Sequence, residues 1–390
     1  MKQGWEIKKL GDVCKLMVDG DWIESKDQSD DGIRLLQTGN VGIGCFKDKS
    51  EHYKFISEET FDRLNCTEIF EGDILISRLP EPIGRACIVP ALNCRLITAV
   101  DCTIIRLKNI VLPRYVVYYT RSNKYSSDIE QYVTGAVRKR ISRSNLAKIP
   151  IPVPERAEQE RIVGELDCLS GIIANKRAQL RELDSLAQSI FYTMFGDPIS
   201  NDKGWETKKL GEVFDTTSGG TPSKKHAEYY DNGTIPWLRS GEIDKTFISS
   251  TELYITEQGV KNSSAKWFPV NTVVIAMYGA TVGQVGVLKN AMTTNQAICG
   301  IFPNDRFDSL YLYYFLRMMK SEFIKLSSGG AQPNISQSII RDTVINCPPI
   351  SLQKQFAENI ENIERQKELI TKSIKETEDL FNSRMSYYFD

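Results

Sequence analysis

The 390-residue sequence holds only two histidines, His52 and His226. A metal site rich in histidine or a Ser-His-Asp triad is therefore poorly supplied. Nine cysteines are scattered without a Cys-x-x-Cys pair, and the nearest to a cluster, Cys87, Cys94 and Cys102, lie on apolar, strand-like stretches. An odd count without metal spacing fits reduced, mostly buried thiols. No stretch approaches the run of about 18 apolar residues that spans a membrane. The opening Met1-Lys2-Gln3-Gly4-Trp5 lacks the apolar core of a signal peptide. The expectation is a cytoplasmic chain with no membrane association. Gly-x-x-x-x-Gly-Lys-Ser/Thr, Gly-x-Ser-x-Gly and His-Glu-x-x-His motifs are all missing, so no nucleotide-driven motor, hydrolase elbow or zinc protease is supported. The glycine-rich Gly279–Gly286 stretch is followed by another β-like segment rather than a helix, and reads as a turn between strands. Asn346-Cys347-Pro348-Pro349 resembles an amino-methyltransferase motif only loosely. It has an extra residue and no aromatic ring to stack a flipped base, so it reads as structural. A net charge of −1 is not that of a simple basic nucleic-acid binder. Charge has to be read locally.

What the sequence does have is an internal repeat. Gly4-Trp5-Glu6-Ile7-Lys8-Lys9-Leu10-Gly11-Asp12-Val13 recurs as Gly204-Trp205-Glu206-Thr207-Lys208-Lys209-Leu210-Gly211-Glu212-Val213, identical at eight of ten positions. Ile33–Gly39 lines up with Ile235–Gly241, Gly72–Ser77 with Asn271–Ala276, and Tyr115–Tyr119 with Tyr311–Phe315. Gly135-Ala136 with Ile141-Ser142 matches Gly330-Ala331 with Ile335-Ser336. Short β-rich runs such as Gly72–Ser77 and Ile97–Leu107, with aromatic helical stretches such as Tyr115–Thr120 between them, predict a compact α/β domain in each copy.

Each copy closes with a proline-rich exit, Ile149–Pro154 or Val344–Pro349, followed by a long helical pattern. The prolines read as a boundary because they continue neither a ladder nor a helix. Apolar residues recur in steps of three and four: Ile162, Leu166, Leu169, Ile173, Leu180 and Leu183 in the first helix, and Phe356, Ile360, Ile363, Ile370, Ile374 and Phe381 in the second. That is a heptad seam, interrupted by Lys176 and Lys367. The helices align without a gap from Gln159/Gln353 to Phe195/Phe389, and at 1.5 Å per residue each forms a rod about 60 Å long. Neither rod buries its stripe alone, so the expectation is an antiparallel pair rather than two separate surface helices. The fold class is α+β with a pseudo-twofold repeat: domains at 1–152 and 198–348, helices at 153–197 and 349–390.

Between Gln131 and Pro154 there is no acidic residue, while Arg138, Lys139, Arg140, Arg143 and Lys148 supply five positive charges. Phosphates are the natural partner, and arginine also holds guanine bidentately. Ser142, Ser144 and Asn145 add short polar groups. Alone, such a cluster is by default a solvated loop. At the same landmark the second copy carries Gln332, Pro333, Asn334, Ser336, Gln337 and Ser338, then Arg341, and glutamine and asparagine read adenine edges. Further candidates are Lys224 and Lys225 in a Gly/Ser/Thr-rich loop, Arg34, Gln37, Arg78 and Arg85 in the first copy, and Arg239 and Tyr278 in the second. Each of these is by default a solvated residue.

Taken together, the Trp-x-x-x-x-Leu-Gly openings, the Gly-Asp-Ile-Leu-Ile-Ser strand, the Gly-Ala…Ile-Ser landmark and the proline-rich exits into glutamine-containing helices resemble the specificity subunit of type I restriction–modification systems. The resemblance covers essentially the whole chain. It implies two target-recognition domains, each reading half of a split, asymmetric site in double-stranded DNA. It further implies an antiparallel coil whose length sets the spacer, and two methyltransferase subunits that dock on the chain and use S-adenosylmethionine to methylate adenines. Motor-nuclease subunits join for restriction. The chain itself would hold no catalytic residue, metal or cofactor. Asn271-Thr272-Val273 in place of Gly72-Asp73-Ile74, and Phe389-Asp390 without the glycine of Phe195-Gly196-Asp197, are peripheral departures from the pattern. The competing expectation is a repeat scaffold that binds proteins rather than DNA, which the near-neutral charge favours.

Overall fold

The structure, a computed structural model, describes residues 4–49, 52–135, 137–328 and 333–390. The chain divides into two compact units: Met1–Lys176 with Ser373–Asp390, and Arg177–Lys372. The long helices, Arg156–Phe195 and Ile350–Phe389, are therefore not segments apart from the domains. Each unit contains part of both.

In the first unit, strand Glu6–Lys9 pairs antiparallel with Pro150–Val153. The prolines expected to mark a boundary thus lie inside a strand, Pro152 opposite Ile7 and Pro150 opposite Lys9. A two-stranded ladder leaves one edge unpaired, which is where proline's missing N–H is tolerated. The helix accordingly starts at Arg156 rather than 153. A four-stranded sheet has the order Cys14–Asp19, Cys102–Leu107, Ile74–Ser77, Ala86–Ile88. A three-stranded sheet has the order Phe55–Ile56, Ile33–Leu36, Leu96–Thr98. Strand Ile74–Ser77 is buried along its whole length, which explains its unbroken apolar run. The aromatic helix Pro113–Tyr119 opens on proline and buries Tyr115, Val116, Val117, Tyr118 and Tyr119.

The second unit repeats this plan. Thr207–Lys209 pairs with Val344–Asn346. A five-stranded sheet runs Thr216–Ser218, Ile298–Ile301, Val273–Ala276, Val285–Leu288, Phe247–Ile248, beside a four-stranded sheet built on Ile235–Leu238 and Met292–Thr294. The glycine-rich stretch is a short 3-10 turn, Gly279–Thr281, between two strands.

Each core is closed by the end of the helix that follows the other copy. In the first unit Phe381, Met385, Tyr388 and Phe389 join Tyr115, Tyr119, Ile162 and Leu166. In the second, Ala187, Phe191 and Phe195 join Tyr311, Phe356 and Ile360. Tyr115 meets Phe389 edge-on at 5.5 Å, and Tyr311 meets Phe195 at 4.8 Å. The contacts run in opposite senses along the two helices: Arg161 with Tyr388 and Lys176 with Ser373 in the first unit, Asp184 with Lys367 in the second. Within each unit the pairing is antiparallel. Of the seam, Leu169, Ile363, Ile374 and Phe381 are also buried, whereas Ile173, Leu180, Leu183 and Ile370 are half-buried.

Equivalent glutamines join helix to domain. Gln159 is fully buried: its Oε1 accepts from the Leu112 N–H (2.9 Å) and its Nε2 donates to the Ile110 and Pro154 carbonyls (3.0 and 2.9 Å). Gln353, also fully buried, accepts from the Asp308 N–H (2.9 Å) and donates to Pro348 and Arg306 (2.8 and 3.4 Å). A buried amide with every group satisfied fixes the helix start against its domain.

Candidate nucleic-acid interface

One end of the larger sheet, where its strands stop, gathers these loops in each unit, and matched backbone hydrogen bonds hold them. Gly20 N–H donates to Cys102 and Asp21 N–H to Thr98 (both 2.8 Å); Gly219 and Gly220 N–H donate likewise to Ile298 and Thr294 (3.2 and 2.9 Å). Arg78 N–H donates to Asp101 (2.9 Å) and Met277 N–H to Ala297 (2.8 Å). Ile141 N–H reaches the Arg78 carbonyl (3.4 Å) and Ile335 N–H the Met277 carbonyl (2.9 Å). The Ile-Ser landmark therefore sits beside the strand end that carries Arg78 in one copy and Met277-Tyr278 in the other. The repeated frame is backbone. The side chains it presents differ.

In the first unit Thr134 and Arg140 exchange both backbone bonds at 2.9 Å and close a hairpin. Its tip projects Val137, Arg138 and Lys139 into solvent. Ser142 caps the following turn of helix by accepting from the Asn145 N–H (3.2 Å). Arg138, Arg140, Ser142 and Arg143 are exposed, and among the described residues these three arginines have no ion pair. Lys139 lies 3.3 Å from Glu81. In the second unit Ser328 and Asn334 exchange the equivalent pair of backbone bonds (3.0 and 2.8 Å), and Tyr278 bridges to Asn334. Asn334, Ser336 and Tyr278 are exposed. Gln332 lies outside the described residues.

Other candidates have internal occupations. Arg34 is only 4% exposed, donates to Asp48 Oδ1 (2.6 Å) and stacks over Tyr53. That bond holds the Asp48 carboxyl below its ordinary value. Arg85 donates to the carbonyls of Val41, Thr38 and Pro80 (2.8, 2.8 and 2.5 Å), and burial lowers its pKa from the ordinary arginine value. Arg78 donates to the Val100 carbonyl (2.5 Å) and lies 3.5 Å from Asp19. Arg239 pairs with Glu242 (2.9 Å) and Glu252, and its bond to Glu242 raises its pKa. Gln337 donates to the Thr216 carbonyl and hydroxyl (both 2.9 Å) and accepts from Ser218 (3.2 Å). Strand ends supply many such polar groups with local carbonyl partners, and motif alignment does not reveal which groups are spoken for. Gln37 is exposed beside its 3-10 turn.

Lys224 and Lys225 are exposed on the loop that leaves strand Thr216–Ser218. Gly220 makes that path possible: a Cβ there would fall 2.2 Å from the Ser264 backbone. The corresponding loop of the first unit carries Trp22, 71% exposed, with its Nε1 3.3 Å from Glu24. Composition alone did not single out Trp22; aligning Gly20 with Gly219 does.

Among the described residues no group of His, Cys, Asp and Glu side chains gathers into a metal site, and no helix is long and apolar enough to cross a membrane. All nine cysteines are free; five are buried, while Cys45, Cys94 and Cys168 are exposed. Burial pushes the Cys87 thiol up to about 12 and that of Cys102 to about 11, far from reactive values.

The chain is thus a tandem of one mixed α/β domain with an invariant frame, a variable polar edge and helices shared between copies. A family model described as the type I restriction modification DNA specificity domain matches residues 2–184 and again 202–379. The chain belongs to that family. It is 28% identical over 265 residues to the specificity subunit of a type I restriction enzyme from Escherichia coli, covering 65% of this chain and 64% of that protein. A specificity subunit from Methanocaldococcus jannaschii is 23% identical over 267 residues, covering 64% and 62%. The matches thus span somewhat less than two thirds of these curated relatives. Two solved structures share the fold at a TM-score of 0.60, each covering 100% of this chain and 98% of the other. One comes from work on assembly and conformational transition of the type I R-M system (18% identical), and one is the S subunit of the M. genitalium type I restriction-modification system (13%).

Proposed function

We propose that the chain is the DNA-specificity subunit of a type I restriction–modification complex. Each domain reads one half of a bipartite, asymmetric site in double-stranded DNA. The helical pair sets the spacer and docks two methyltransferase subunits, which bind S-adenosylmethionine and methylate adenine. Motor-nuclease subunits join where restriction follows. The chain supplies recognition and no catalytic group, and works in the cytoplasm.

The observation that carries this reading is the pair of matched edges with unmatched side chains. Two readers of different half-sites need one frame and two surfaces. The arginines and lysines at these edges supply the phosphate contacts, which position without specifying, and the neighbouring Ser, Asn and Tyr groups reach base edges. A chain with net charge −1 concentrates its binding at such patches.

A gel-shift titration against salt, with methyltransferase subunits present and a randomised duplex pool as competitor, tests it. Sequence-selective binding that weakens steeply with salt is expected. Absence of any DNA preference in that complex overturns the reading and favours a protein scaffold.

A further inference from the structure

We propose that the residue directly after the capping serine does opposite work in the two domains: Arg143 contacts DNA in the first, and Gln337 is a positioning residue that holds the recognition edge together in the second. The assignment to DNA rests on the function proposed above.

The two positions are equivalent. Ser142 and Ser336 both cap the short helix that follows, and each hydroxyl also meets the serine two residues on, at 3.0 and 2.6 Å. Beyond that point the wiring diverges. Strand Thr216–Ser218 is an edge of its sheet, so its outer carbonyl and hydroxyl groups lack a ladder partner. Gln337 supplies one, with both of its amide groups engaged. Arg341, one turn further along, adds a 3.4 Å contact to the Thr216 hydroxyl. The strand so held leads directly into Gly219-Gly220 and the loop bearing Lys224 and Lys225.

The first domain has changed all three positions. The strand partners place Met17 where the second has Thr216, and Asp19 where it has Ser218. The one-residue offset in sequence is absorbed at the register shift between Cys14 and Leu16. Methionine offers no hydroxyl. Asp19 turns instead to Thr103 (3.0 Å) and Arg78 (3.5 Å), whose counterpart is Met277. With the edge fixed by Asp19 and Arg78, Arg143 is released to solvent without an ion pair among the described residues. The polar groups of the edge therefore differ as a set: Gln337 with Thr216 and Ser218, or Arg143 with Met17 and Asp19.

Two readouts on the full chain separate holding from contact. Hydrogen exchange without DNA reports holding. The salt dependence of binding to a randomised duplex pool reports contact. Gln337→Ala should speed exchange over Thr216–Lys225 by about tenfold and leave exchange over Met17–Asp31 unchanged. The milder pair Thr216→Val with Ser218→Ala should reproduce the faster exchange, which keeps the test open if Gln337→Ala misfolds. Arg143→Ala should leave exchange unchanged and lower the log–log salt slope by about 0.9, the loss of one phosphate contact, while Arg143→Lys should retain it. Unchanged exchange with both Gln337→Ala and the double variant, or an unchanged slope in Arg143→Ala, overturns the proposal. A wild-type chain whose duplex binding shows no salt dependence overturns the proposed function and the role of Arg143 with it, while exchange alone then decides Gln337.

Discussion

Lys367 Nζ sits 2.9 Å from Asp184 Oδ1 on the opposing helix and 2.8 Å from Glu364 on its own. Read as an interruption of the seam, this lysine is instead the centre of a half-buried ion cluster. Lys176, the other interruption, meets only hydroxyls and a carbonyl, with its ammonium 2.5 Å from Ser373 Oγ and 3.2 Å from Thr377 Oγ1. The two substitutions should therefore behave differently. Lys367→Met leaves the buried Glu364 without its cation and should cost about 2–3 kcal/mol, below the range for fully dry pairs. Lys176→Leu strands no charge and should change stability by less than about 1 kcal/mol, or improve it. Urea unfolding of the full chain measures both, and equal losses would contradict the assignment.

The paired glutamines give a second prediction. Gln159→Leu leaves the Leu112 N–H and two carbonyls without partners, and Gln353→Leu does the same at Asp308, Pro348 and Arg306. Each should destabilise its own unit by about 3 kcal/mol. Hydrogen exchange resolved by unit should show the first variant loosening Pro113–Tyr119 and the second Ser309–Met318. Loosening of both regions by either single change would show that the glutamines do not act locally.

Asp308 supplies a pH test. Burial raises its carboxyl above the ordinary 3.8, against the opposing pull of the Leu310 and Tyr311 N–H groups. A folded-state pKa raised above the unfolded value means that the folded chain binds this proton more tightly. The contribution is fully present below the unfolded value and is lost as pH rises through the folded one. Asparagine caps helices as well as aspartate does. Asp308→Asn should accordingly gain stability relative to wild type as pH climbs out of the carboxylate range. A stability difference that stays constant from acid to neutral pH would remove burial as the cause.

Trp22 provides an optical probe of the edge. Of five tryptophans in the chain, this one is 71% exposed on a loop equivalent to the Lys224-Lys225 loop. Duplex DNA should quench its emission, and Trp22→Phe should abolish that change. An identical quench in the variant would place Trp22 away from the bound duplex.

Much of the frame was legible in the sequence because it is repeated. Gly4–Val13 against Gly204–Val213 and the gapless helix alignment define copies and helices without any structural knowledge. Solvation of strand ends was not legible. Arg34, Arg85 and Arg239 stand where an exposed arginine would, yet their partners Asp48, Val41 and Glu252 lie on separate turns of chain. Gln337 was singled out for its amide, but the groups that occupy it are 121 and 119 residues away. The prolines of Ile149–Pro154 misled for a related reason: one-sided pairing with Glu6–Lys9 tolerates residues that a two-sided ladder would reject.

The central claim is that the two edges are independent readers of one split site. It is tested most directly by sequencing the methylated bases in cells that carry this chain with the proposed methyltransferase subunits, before and after replacing Arg138, Lys139 and Arg140 with Ala. The account predicts a bipartite motif with an unspecified spacer, in which the variant loses or relaxes one half and keeps the other. A single continuous motif, or a variant that alters both halves together, would contradict it.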